Sequence, residues 1–378
     1  MKVLHVITRM DPGGSSSICR KVVNGMKKEG IEVYLASGKS EAEPRNCEED
    51  IIGLRFLQRE IRLFNDIAAV FELCLLIKKI KPDALHLHTS KAGLIGRIAG
   101  RLTGIRKIFY QPHGIVFYGY FSKLKSNMIV LAERLMAGSA DRIIVLTKRA
   151  KQEFLEYRVG KEEQYIIIED GITFSRFRGA SDDERIKIRR ELGIEPGWVV
   201  AGIIGRIVKL KGHRYFVDAI SSLAEAYPGL RGLIAGEGED EEDLKKYIEK
   251  KNSSGRFIFC GYRNDIEKIM PALDMLVQPS LVEGFGLTVI EAGASSVPVV
   301  GFDVGGISDI IQDKKTGLLA EYKDIDSLKS KIRYLADNPD KRLEMGKNAR
   351  EYVRENYTDE KMMKKVMDLY REEKARIE

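Results

Sequence analysis

Two loops in the second half of the chain combine charged side chains with glycines, a pattern typical of anion-binding sites. The first runs from Gly205 to Gly212 and reads GRIVKLKG, after an apolar run and before a helical pattern. Arg206 can make a forked contact and Lys211 a point contact, so both can converge on one dianionic group. A helix that begins near Gly212 adds the positive end of its dipole. The alternative for this segment is a basic surface loop.

The second loop carries two carboxylates eight residues apart. Glu283 lies among glycines, and Glu291 lies in the helical pattern that follows. Because burial of an unpaired charge is costly, Glu291 in an otherwise apolar helix requires polar partners, which ribose hydroxyls would supply. A solvated helix face is the alternative. Backbone amides at the helix start suit phosphate, and the residues that would offer them are Gly284, Phe285, Gly286 and Leu287.

The first half contains a glycine loop after its first predicted strand. Residues 11–17 read DPGGSSS, so Gly13 and Gly14 stand before a predicted helix. Paired glycines allow a close backbone approach, and a helix start attracts anions. A plain turn explains the loop equally well, because neither a GxGxxG fingerprint nor a P-loop follows.

Two histidines lie at the end of one predicted strand of the first half, and a third follows the next strand. His86 and His88 alternate in HLH and therefore share one strand face. A metal pair is one interpretation, and structural or polar-cleft histidines are the favoured one, since no third ligand has suitable spacing. His113, in a Pro-His-Gly turn, is expected to point into a cleft.

Short apolar runs alternate with amphipathic stretches, which predicts parallel sheets covered by helices on both faces. First-half strands are predicted at 2–7, 31–36, 83–88, 107–111, 141–146 and 164–168, and second-half strands at 198–204, 230–235, 256–260, 273–278 and 297–301. Intervening helices are predicted at 66–80, 90–102, 212–226, 240–251 and 286–294. The pattern restarts near residue 198 after a polar segment. It therefore predicts two doubly wound α/β domains whose strand ends would form a cleft.

The last third of the second half is predicted to be helical. Helices are expected near 326–336, 340–354 and 358–376, with Asp326 as an N-cap. The last helix is expected to pass back to the first domain. The predicted domains are thus 1–172, 173–355 and a C-terminal helix within 356–378.

Length and composition agree with two soluble domains. The chain has 378 residues, with 44% hydrophobic and 31% charged, and a single core rarely exceeds about 250–300 residues. It has no apolar run of about 18 residues, which a membrane-spanning helix requires. The N-terminus reads as a buried strand and not as a signal peptide. Four scattered cysteines without a CxxC pair predict a reducing cytosol.

Charge is distributed unevenly along the chain. Residues 1–170 hold 28 basic and 20 acidic residues, whereas the remainder has a net charge of −1. Such an asymmetry predicts an anionic partner for the first half, although a solvated face without a partner is the alternative. Lys123, Lys125 and Arg134 lie near aromatic residues, so peripheral attachment to an anionic membrane is expected. The aromatic residues in question are Phe117, Tyr118, Tyr120 and Phe121.

The glycine loop after the first strand, the Gly-Arg…Lys-Gly loop and the Glu-x7-Glu pair together resemble the retaining GT-B glycosyltransferases of family four, the glycosyl transferases group 1. These nucleotide-sugar-dependent enzymes build lipopolysaccharide, capsule, glycolipids and related glycans. The resemblance covers nearly the whole chain and is most specific from Gly205 to Gly317. It implies two Rossmann-like domains facing across a cleft, with an acceptor-binding first domain and a nucleotide-sugar-binding second one.

The resemblance also implies roles for the residues introduced above. Arg206 and Lys211 would hold the donor diphosphate, and Glu291 the ribose. Glu283 and amides near Phe285 would hold the donor sugar and distal phosphate. His113 would lie near the transferred sugar, and Gly14 would approach the phosphate. The glycine-rich turn near the base would contain Gly236 and Gly238, and the remaining donor-binding positions are Gly13, Gly205, Gly284, Gly286 and Leu287.

The sequence departs from the family pattern in two loops. Where many members carry Asn-Gly-Val-Asp, residues 170–173 read DGIT after Glu169. Where many have Ala followed by Glu, this chain has Ser15. The first departure affects the domain hinge and the second the acceptor, and neither touches the diphosphate contacts.

The predicted reaction is sugar transfer, with retention, from a nucleotide-diphosphate sugar to a glycan or lipid-linked acceptor, on the cytoplasmic side of the membrane. UDP is the default nucleotide. No cofactor, metal or nucleic acid is expected, since the only Asp-x-Asp match, at 324–326, reads as a helix cap. The alternatives are a UDP-sugar epimerase on the same architecture and a non-catalytic nucleotide-sugar-binding protein. An NAD-dependent dehydrogenase is disfavoured, because neither half has the required GxGxxG.

Overall fold

The computed structural model describes residues 1–11, 13–39, 51–179 and 181–375, so Pro12 and Cys47 lie outside the described residues. The chain divides into two compact units. Unit 1 comprises Met1–Gly171 together with Asp359–Glu378, and unit 2 comprises Ile172–Thr358. The end of the chain therefore belongs to the same unit as its beginning.

Unit 1 is built on a parallel sheet with the strand order β3-β2-β1-β4-β5-β6-β7. The strands are β1 (Lys2–Ile7), β2 (Glu32–Gly38), β3 (Ile51–Leu54), β4 (Ala84–His88), β5 (Lys107–Gln111), β6 (Arg142–Val145) and β7 (Tyr165–Ile167). The direction of winding reverses between the neighbours β1 and β4. In doubly wound sheets, ligands bind beside the carboxyl ends of the strands at such a reversal.

Helices cover both faces of this sheet. They are α1 (Gly14–Lys28), α2 (Leu63–Ile80), α3 (Ser90–Leu102), α4 (Lys123–Ala137), α5 (Lys148–Glu156) and, from the end of the chain, α14 (Asp359–Ala375). α3 contacts both α2 and α4, whereas α1 contacts α14. Right-handed crossovers place α2, α3 and α4 on one face of the sheet and α1 on the other.

Small residues let α3 lie directly on the sheet. A Cβ added at Gly93 would lie 2.2 Å from the ring of Tyr110, and one added at Gly96 would lie 2.3 Å from Leu87. These glycines leave little exposed surface on α3, so α2 and α4 form the outer surface of this layer.

Unit 2 repeats the architecture with the strand order β10-β9-β8-β11-β12-β13. The strands are β8 (Val199–Ile204), β9 (Leu230–Ala235), β10 (Phe257–Phe259), β11 (Met275–Gln278), β12 (Val299–Phe302) and β13 (Gly317–Ala320). The helices are α6 (Asp182–Glu191), α7 (His213–Leu223), α8 (Glu241–Lys250), α9 (Ile266–Ile269), α10 (Leu287–Ala294), α11 (Gly305–Ile310), α12 (Ile325–Asp337) and α13 (Pro339–Asn356). Here the winding reverses between β8 and β11.

The parallel α/β architecture is as predicted, whereas two edge strands and one helix cap differ from the prediction. The short edge strands β3 and β13 were missed. The polar segment at 175–195 contains α6, which Ser181 caps through the backbone N–H of Glu184. The N-cap of α12 is Asp324 and not Asp326, because the Asp324 carboxylate accepts hydrogen bonds from the amides of Asp326 and Ser327.

Candidate functional site

The loops that follow β8 and β11 meet at the reversal point of unit 2. The backbone N–H of Leu281 donates a 2.7 Å hydrogen bond to the carbonyl of Leu210, which ties one loop to the other. Gly212 is needed at this junction, since its φ is +74° and a Cβ there would lie 1.8 Å from the carbonyl oxygen of Pro279. The sheet order thus brings together the two loops that carry the predicted charges.

An ion pair joins these loops. Lys211 Nζ lies 2.7 Å from Glu283 Oε2, and the two side chains are 30% and 12% exposed. The same carboxylate oxygen accepts a 3.2 Å hydrogen bond from the Ser280 hydroxyl and a 3.5 Å contact from the Gln278 amide. Ser280 and Gln278 therefore hold the Glu283 carboxylate in place. Lys211 is partly exposed, so an anion can approach it from solvent.

Arg206 belongs to the same loop as Lys211, and its side chain is exposed. Among the described residues, no ion pair or side-chain hydrogen bond is made by its guanidinium. The backbone around it is fixed, because Ile207 donates to the carbonyl of Glu237 over 2.9 Å and Gly205 donates to that of Ala235. A rigid loop with an unengaged arginine is suited to a forked contact with an anion.

Gly236 and Gly238 support the Arg206 loop. A Cβ at Gly236 would lie 2.0 Å from the carbonyl oxygen of Gly205, and one at Gly238 would lie 2.2 Å from that of Ile207. The loop after β9 therefore packs backbone to backbone on the loop after β8. This packing alone accounts for both glycines, so a contact of theirs with a nucleotide base stays a prediction.

The helix after Glu283 begins without a side-chain cap. Gly286 is its N-cap, with a φ of +108°, and no described side chain accepts a hydrogen bond from the first turn of α10. Phe285 is buried and makes an edge contact with Tyr357, whereas Gly284 and Leu287 are partly exposed. The Val289 amide donates to the carbonyl of Gly286 over 2.9 Å, so the first-turn amides left for an anion are those of Leu287 and Thr288.

Glu291 is the fifth residue of α10. It is half-buried between Ile290 and Ala292, which are both fully buried. Glu291 therefore lies on an otherwise apolar helix, as expected. Its contact with ribose stays a prediction.

Unit 1 gathers its histidines at the carboxyl ends of β1, β4 and β5. His5 lies opposite His86 in the strand register, and His86 and His88 stack with ring centroids 4.3 Å apart. Burial lowers the pKa of His86 to about 4 and that of His113 to about 3. All of these imidazoles are therefore neutral near pH 7.

His113 and Thr89, which follows His88, have left-handed backbones. Thr89 has a φ of +71° and His113 a φ of +60°, which is uncommon for residues other than glycine. The hydroxyl groups of Thr8 and Thr89 lie 2.6 Å apart, and the Thr89 amide donates to the carbonyl of Gln111. Such conformations persist where the surrounding structure fixes them, and they cluster at functional sites.

The glycine loop of unit 1 leads into α1, and the space around its first glycine is open. Gly13 is the N-cap of α1, and Gly14 is its first residue. The backbone of Gly13 is extended, and an added Cβ would meet nothing within 4 Å. Internal packing therefore does not require a glycine at this position, and an approach of its backbone to a ligand stays a prediction.

Comparison with known proteins identifies the family. Residues 184–352 match the model described as glycosyl transferases group 1, and residues 12–176 match that of glycosyltransferase family 4. The chain is 32% identical over 320 residues to the UDP-Gal:alpha-D-GlcNAc-diphosphoundecaprenol alpha-1,3-galactosyltransferase of Escherichia coli, covering 83% of this chain and 81% of that protein. The chain belongs to the group 1 glycosyltransferases.

Two further likenesses extend over the full length. The capsular polysaccharide biosynthesis glycosyltransferase CapM of Staphylococcus aureus is 24% identical, over 98% of this chain and 96% of that protein. The crystal structure of Anabaena HepE in complex with UDP superposes with a TM-score of 0.81 at 20% identity, covering 98% of this chain and all of that chain. The glycosyltransferase therefore has the predicted GT-B fold.

Most predicted site residues of this glycosyltransferase lie in two groups, one in each unit. In unit 2, Lys211 and Glu283 are in contact, and Arg206 and the start of α10 belong to the loops after β8 and β11. In unit 1, His88 and His113 are in contact, with ring nitrogens 2.8 Å apart. The expectation that no third ligand is suitably placed for a metal with His86 and His88 was wrong, because nitrogens of His5, His86 and His88 all lie within 4.8 Å of one another.

The aromatic segment that was expected to contact a membrane is only partly exposed. Phe117 is buried and packs on Phe154, and the Tyr118 hydroxyl donates a 2.8 Å hydrogen bond to Glu153. Phe117 therefore cannot face a membrane, and Tyr118 is partly buried with its hydroxyl engaged. Tyr120 and Phe121 are exposed, as expected.

Proposed function

We propose that this glycosyltransferase moves a hexose, with retention, from a UDP-sugar to a lipid-linked glycan at the cytoplasmic membrane face. The observation that carries the proposal is the Lys211–Glu283 ion pair at the β8/β11 reversal point, in which the lysine comes from the loop that also carries the exposed Arg206. The UDP bound to the HepE relative and the UDP-Gal named for the E. coli relative support the choice of nucleotide.

The donor diphosphate would contact three positively polarised groups. Arg206 would supply the forked contact, Lys211 the point charge and the first turn of α10 its amides. Glu283 would bind the donor sugar, and Glu291 the ribose. His113 would contact the transferred sugar, and Gly14 the phosphate.

The chemical step requires stabilisation of negative charge on the leaving group. The bond between the anomeric carbon and the diphosphate oxygen breaks, and a bond forms from the acceptor hydroxyl oxygen to the same face of that carbon. The hydroxyl proton passes to the leaving phosphate oxygen. Fixed cations and amides aimed at a developing charge can lower such a barrier without a metal ion.

An exposed apolar surface of unit 1 supports a membrane-bound acceptor. Side chains on the sides of α2 and α4 that point away from the sheet are large, apolar and exposed, and Phe64 reaches 87% exposure. We call this surface the α2/α4 face, and its residues are Leu63, Phe64, Ile67, Phe71 and Leu75 on α2 and Leu124, Met128, Leu131 and Leu135 on α4. Apolar stripes of this kind on surface helices are typical of interfacial binding.

Charge around the α2/α4 face favours an anionic bilayer. Residues 51–140 contain 14 basic and 5 acidic residues, so this segment holds the entire basic excess of the first half. Two of the acidic side chains are neutralised, Asp66 by Lys91 and Glu133 by Arg97. None of the described helices is both long enough and apolar enough to cross a membrane. The face would therefore lie on the bilayer surface and bring the enzyme to a lipid-linked acceptor.

Product analysis tests the proposed reaction. The protein is incubated in EDTA with UDP-glucose, UDP-galactose or UDP-N-acetylglucosamine, with and without a diphosphate-linked lipid glycan. We expect one donor to give an α-linked product with the acceptor and only slow hydrolysis without it. Formation of an epimeric UDP-sugar from the donor alone would identify an epimerase, and a β-linked product would contradict retention.

A further inference from the structure

Gln278 and Ser280 form a buried polar pair beside Glu283 in unit 2. Gln278 ends β11, whose other residues are apolar and completely buried, and it is itself only 2% exposed. Its Nε2 atom donates a 2.8 Å hydrogen bond to the hydroxyl of Ser280, a fully buried residue. Because that hydroxyl accepts from the amide, its own proton is free to donate to Glu283 Oε2 over 3.2 Å.

Charge decides which way the Gln278 amide points. Its Nε2 atom also lies 3.5 Å from Glu283 Oε2, where an N–H group is attracted to the carboxylate. In the flipped orientation, the amide oxygen would face that carboxylate oxygen and would compete with it for the Ser280 proton. The amide therefore keeps its nitrogen towards Ser280 and Glu283.

This orientation leaves a buried acceptor unused. Gln278 Oε1 is shielded from solvent and has no hydrogen-bond partner among the described residues. Burial of a polar atom without a partner is unfavourable, and an apolar side chain of similar size would avoid that penalty. Stability therefore explains a glutamine poorly at the end of this apolar strand, and what the side chain supplies is its contact with Ser280 and Glu283.

The two carboxylate oxygens of Glu283 have different surroundings. Oε2 takes all the hydrogen bonds that the described residues make to this carboxylate, and they come from Lys211, Ser280 and Gln278. Oε1 has no such partner and is accessible to solvent. The polar contacts thus hold one oxygen and leave the other open to a ligand.

The backbone of Glu283 is fixed as well. The Gly306 amide donates a 3.1 Å hydrogen bond to the Glu283 carbonyl, and a Cβ at Gly305 would lie 2.0 Å from that oxygen. Gly305 has a φ of +49°, so both its conformation and the lack of space favour glycine. Because the start of α11 holds the backbone, the direction of the Glu283 side chain depends on the contacts to Oε2.

We propose that Gln278 and Ser280 are positioning residues that hold Glu283 Oε2 on Lys211, so that Oε1 is presented to a hydroxyl group of the donor sugar. The binding of a sugar at Glu283 rests on the proposed function, and the assignment of Gln278 and Ser280 goes beyond it. A carboxylate that is held in advance loses little conformational freedom when the donor binds. Gln278 thus contributes to donor recognition without touching the donor.

Crystal structures of the unliganded full-length protein test the positioning directly. Ser280→Ala removes the hydroxyl that donates to Oε2, and Gln278→Leu removes the amide that orients this hydroxyl. We expect the Glu283 carboxylate to stay on Lys211 in the wild-type protein and to leave this orientation in both variants. An unchanged Glu283 side chain in the variants would overturn the proposal, and Ser280→Ala alone decides if Gln278→Leu does not fold.

Ligand binding separates positioning from a merely structural role. UDP lacks the sugar, so calorimetric titration with UDP and with UDP-glucose, UDP-galactose or UDP-N-acetylglucosamine isolates the sugar contact. We expect both variants to bind the preferred UDP-sugar about fivefold more weakly or worse, the effect of one lost hydrogen bond to a charged group, while UDP binding changes by less than about twofold.

Thermal unfolding of the same variants provides an independent readout. Gln278→Leu should not melt below the wild-type protein, because it removes the unpartnered Oε1 atom from the interior. A lower melting temperature together with unchanged binding of the UDP-sugar would refute the proposal and leave the pair a structural role.

Ser253→Ala is the matched control for Ser280→Ala. Ser253 is a buried serine of unit 2 whose hydroxyl donates a 3.1 Å hydrogen bond to the carbonyl of Lys251, just after α8. Its loss should change neither the orientation of Glu283 nor the affinity for the UDP-sugar.

The outcomes separate the positioning from the proposed function. A displaced Glu283 with unchanged binding of UDP-sugars would refute the contact between Oε1 and the sugar, while the transfer reaction itself would stand. If the wild-type protein binds no UDP-sugar, the proposed function fails, and the crystal structures still decide whether Gln278 and Ser280 hold Glu283.

Discussion

Lys211 Nζ and Glu283 Oε2 lie 2.7 Å apart and join two loops that are 72 residues apart in sequence. The parallel neighbours β8 and β11 bring these loops together, and the Ser280 hydroxyl holds the carboxylate. A donor phosphate that approaches the exposed side of Lys211 can pair with the lysine, while Glu283 keeps its own contact with it. The pair therefore holds the lysine ready for the donor.

Replacement of Lys211 by Ala should reduce turnover strongly. Loss of one group that stabilises charge in a transition state typically lowers the rate by about 10²–10³, or ~2.7–4 kcal/mol. Lys209→Ala is the matched control, because Lys209 is an exposed lysine of the same loop with no assigned role. Steady-state kinetics of the two variants provide the measurement. Near-normal turnover of Lys211→Ala would contradict the assignment.

Glu283 is expected to bind the donor and not to act as a nucleophile. Glu283→Gln should raise KM and lower kcat/KM. The glutamine amide can still form hydrogen bonds, but it no longer holds Lys211 in place through an ion pair. Intact-protein mass spectrometry of the wild-type enzyme with a slow fluorinated donor should show no added mass. A sugar covalently attached to Glu283 would instead demonstrate a double-displacement mechanism.

Substitutions on the α2/α4 face should weaken membrane attachment without impairing the fold. Phe71→Ser combined with Leu131→Ser removes two exposed apolar side chains, and Leu343→Ser removes a similarly exposed leucine of unit 2 as the control. We expect the double variant to lose flotation with anionic vesicles, while the control and wild type float at low salt. Equal flotation of all three proteins would exclude this face, and a change in oligomeric state alone would identify it as a protein interface.

The stability of unit 1 should depend on Asp170. Burial raises the pKa of this carboxyl to about 7, and Lys21 only partly opposes the effect. An unfolded Asp ionises near pH 4, so between pH 4 and pH 7 the native state holds more protons than the unfolded one. Stability contributed by the protonated form is then lost as the pH rises through about 7.

Asp170→Asn should remove this dependence. The asparagine cannot ionise, so the variant is expected to be more stable than the wild type at pH 8 by up to about 4 kcal/mol, the equivalent of three pKa units. At pH 4 the two proteins should differ little. Urea unfolding at both pH values provides the measurement, and a wild type as stable as the variant at pH 8 would contradict a buried neutral Asp170.

The sequence predicted which loops carry the charges of the site better than it predicted contacts between residues that are far apart along the chain. The charges of Arg206 and Lys211 could be identified because one loop holds both. The place of His5 in the histidine cluster could not, because it depends on the pairing of β1 with β4, which brings His5 opposite His86. Strand order is a long-range property, and Tyr370 reaches His86 from 284 residues away.

Exposure also escaped prediction from the sequence. Both Phe117 and Phe71 lie in apolar surroundings along the chain, but Phe117 packs in the core and Phe71 points outwards. For Phe71, on α2, hydrophobic periodicity indicates a helix without showing which apolar side faces the sheet, whereas Phe117 lies in the loop between β5 and α4. The edge strands β3 and β13 were not predicted, although other strands of three or four residues were.

Calorimetric titration of UDP in EDTA tests the central claim most directly, namely that fixed side chains and amides of unit 2 bind the donor diphosphate without a metal ion. We expect the wild-type protein to bind UDP equally well in EDTA and in magnesium, and Arg206→Ala to bind at least tenfold more weakly in both. Binding that requires magnesium, or that is unchanged in Arg206→Ala, would contradict the account.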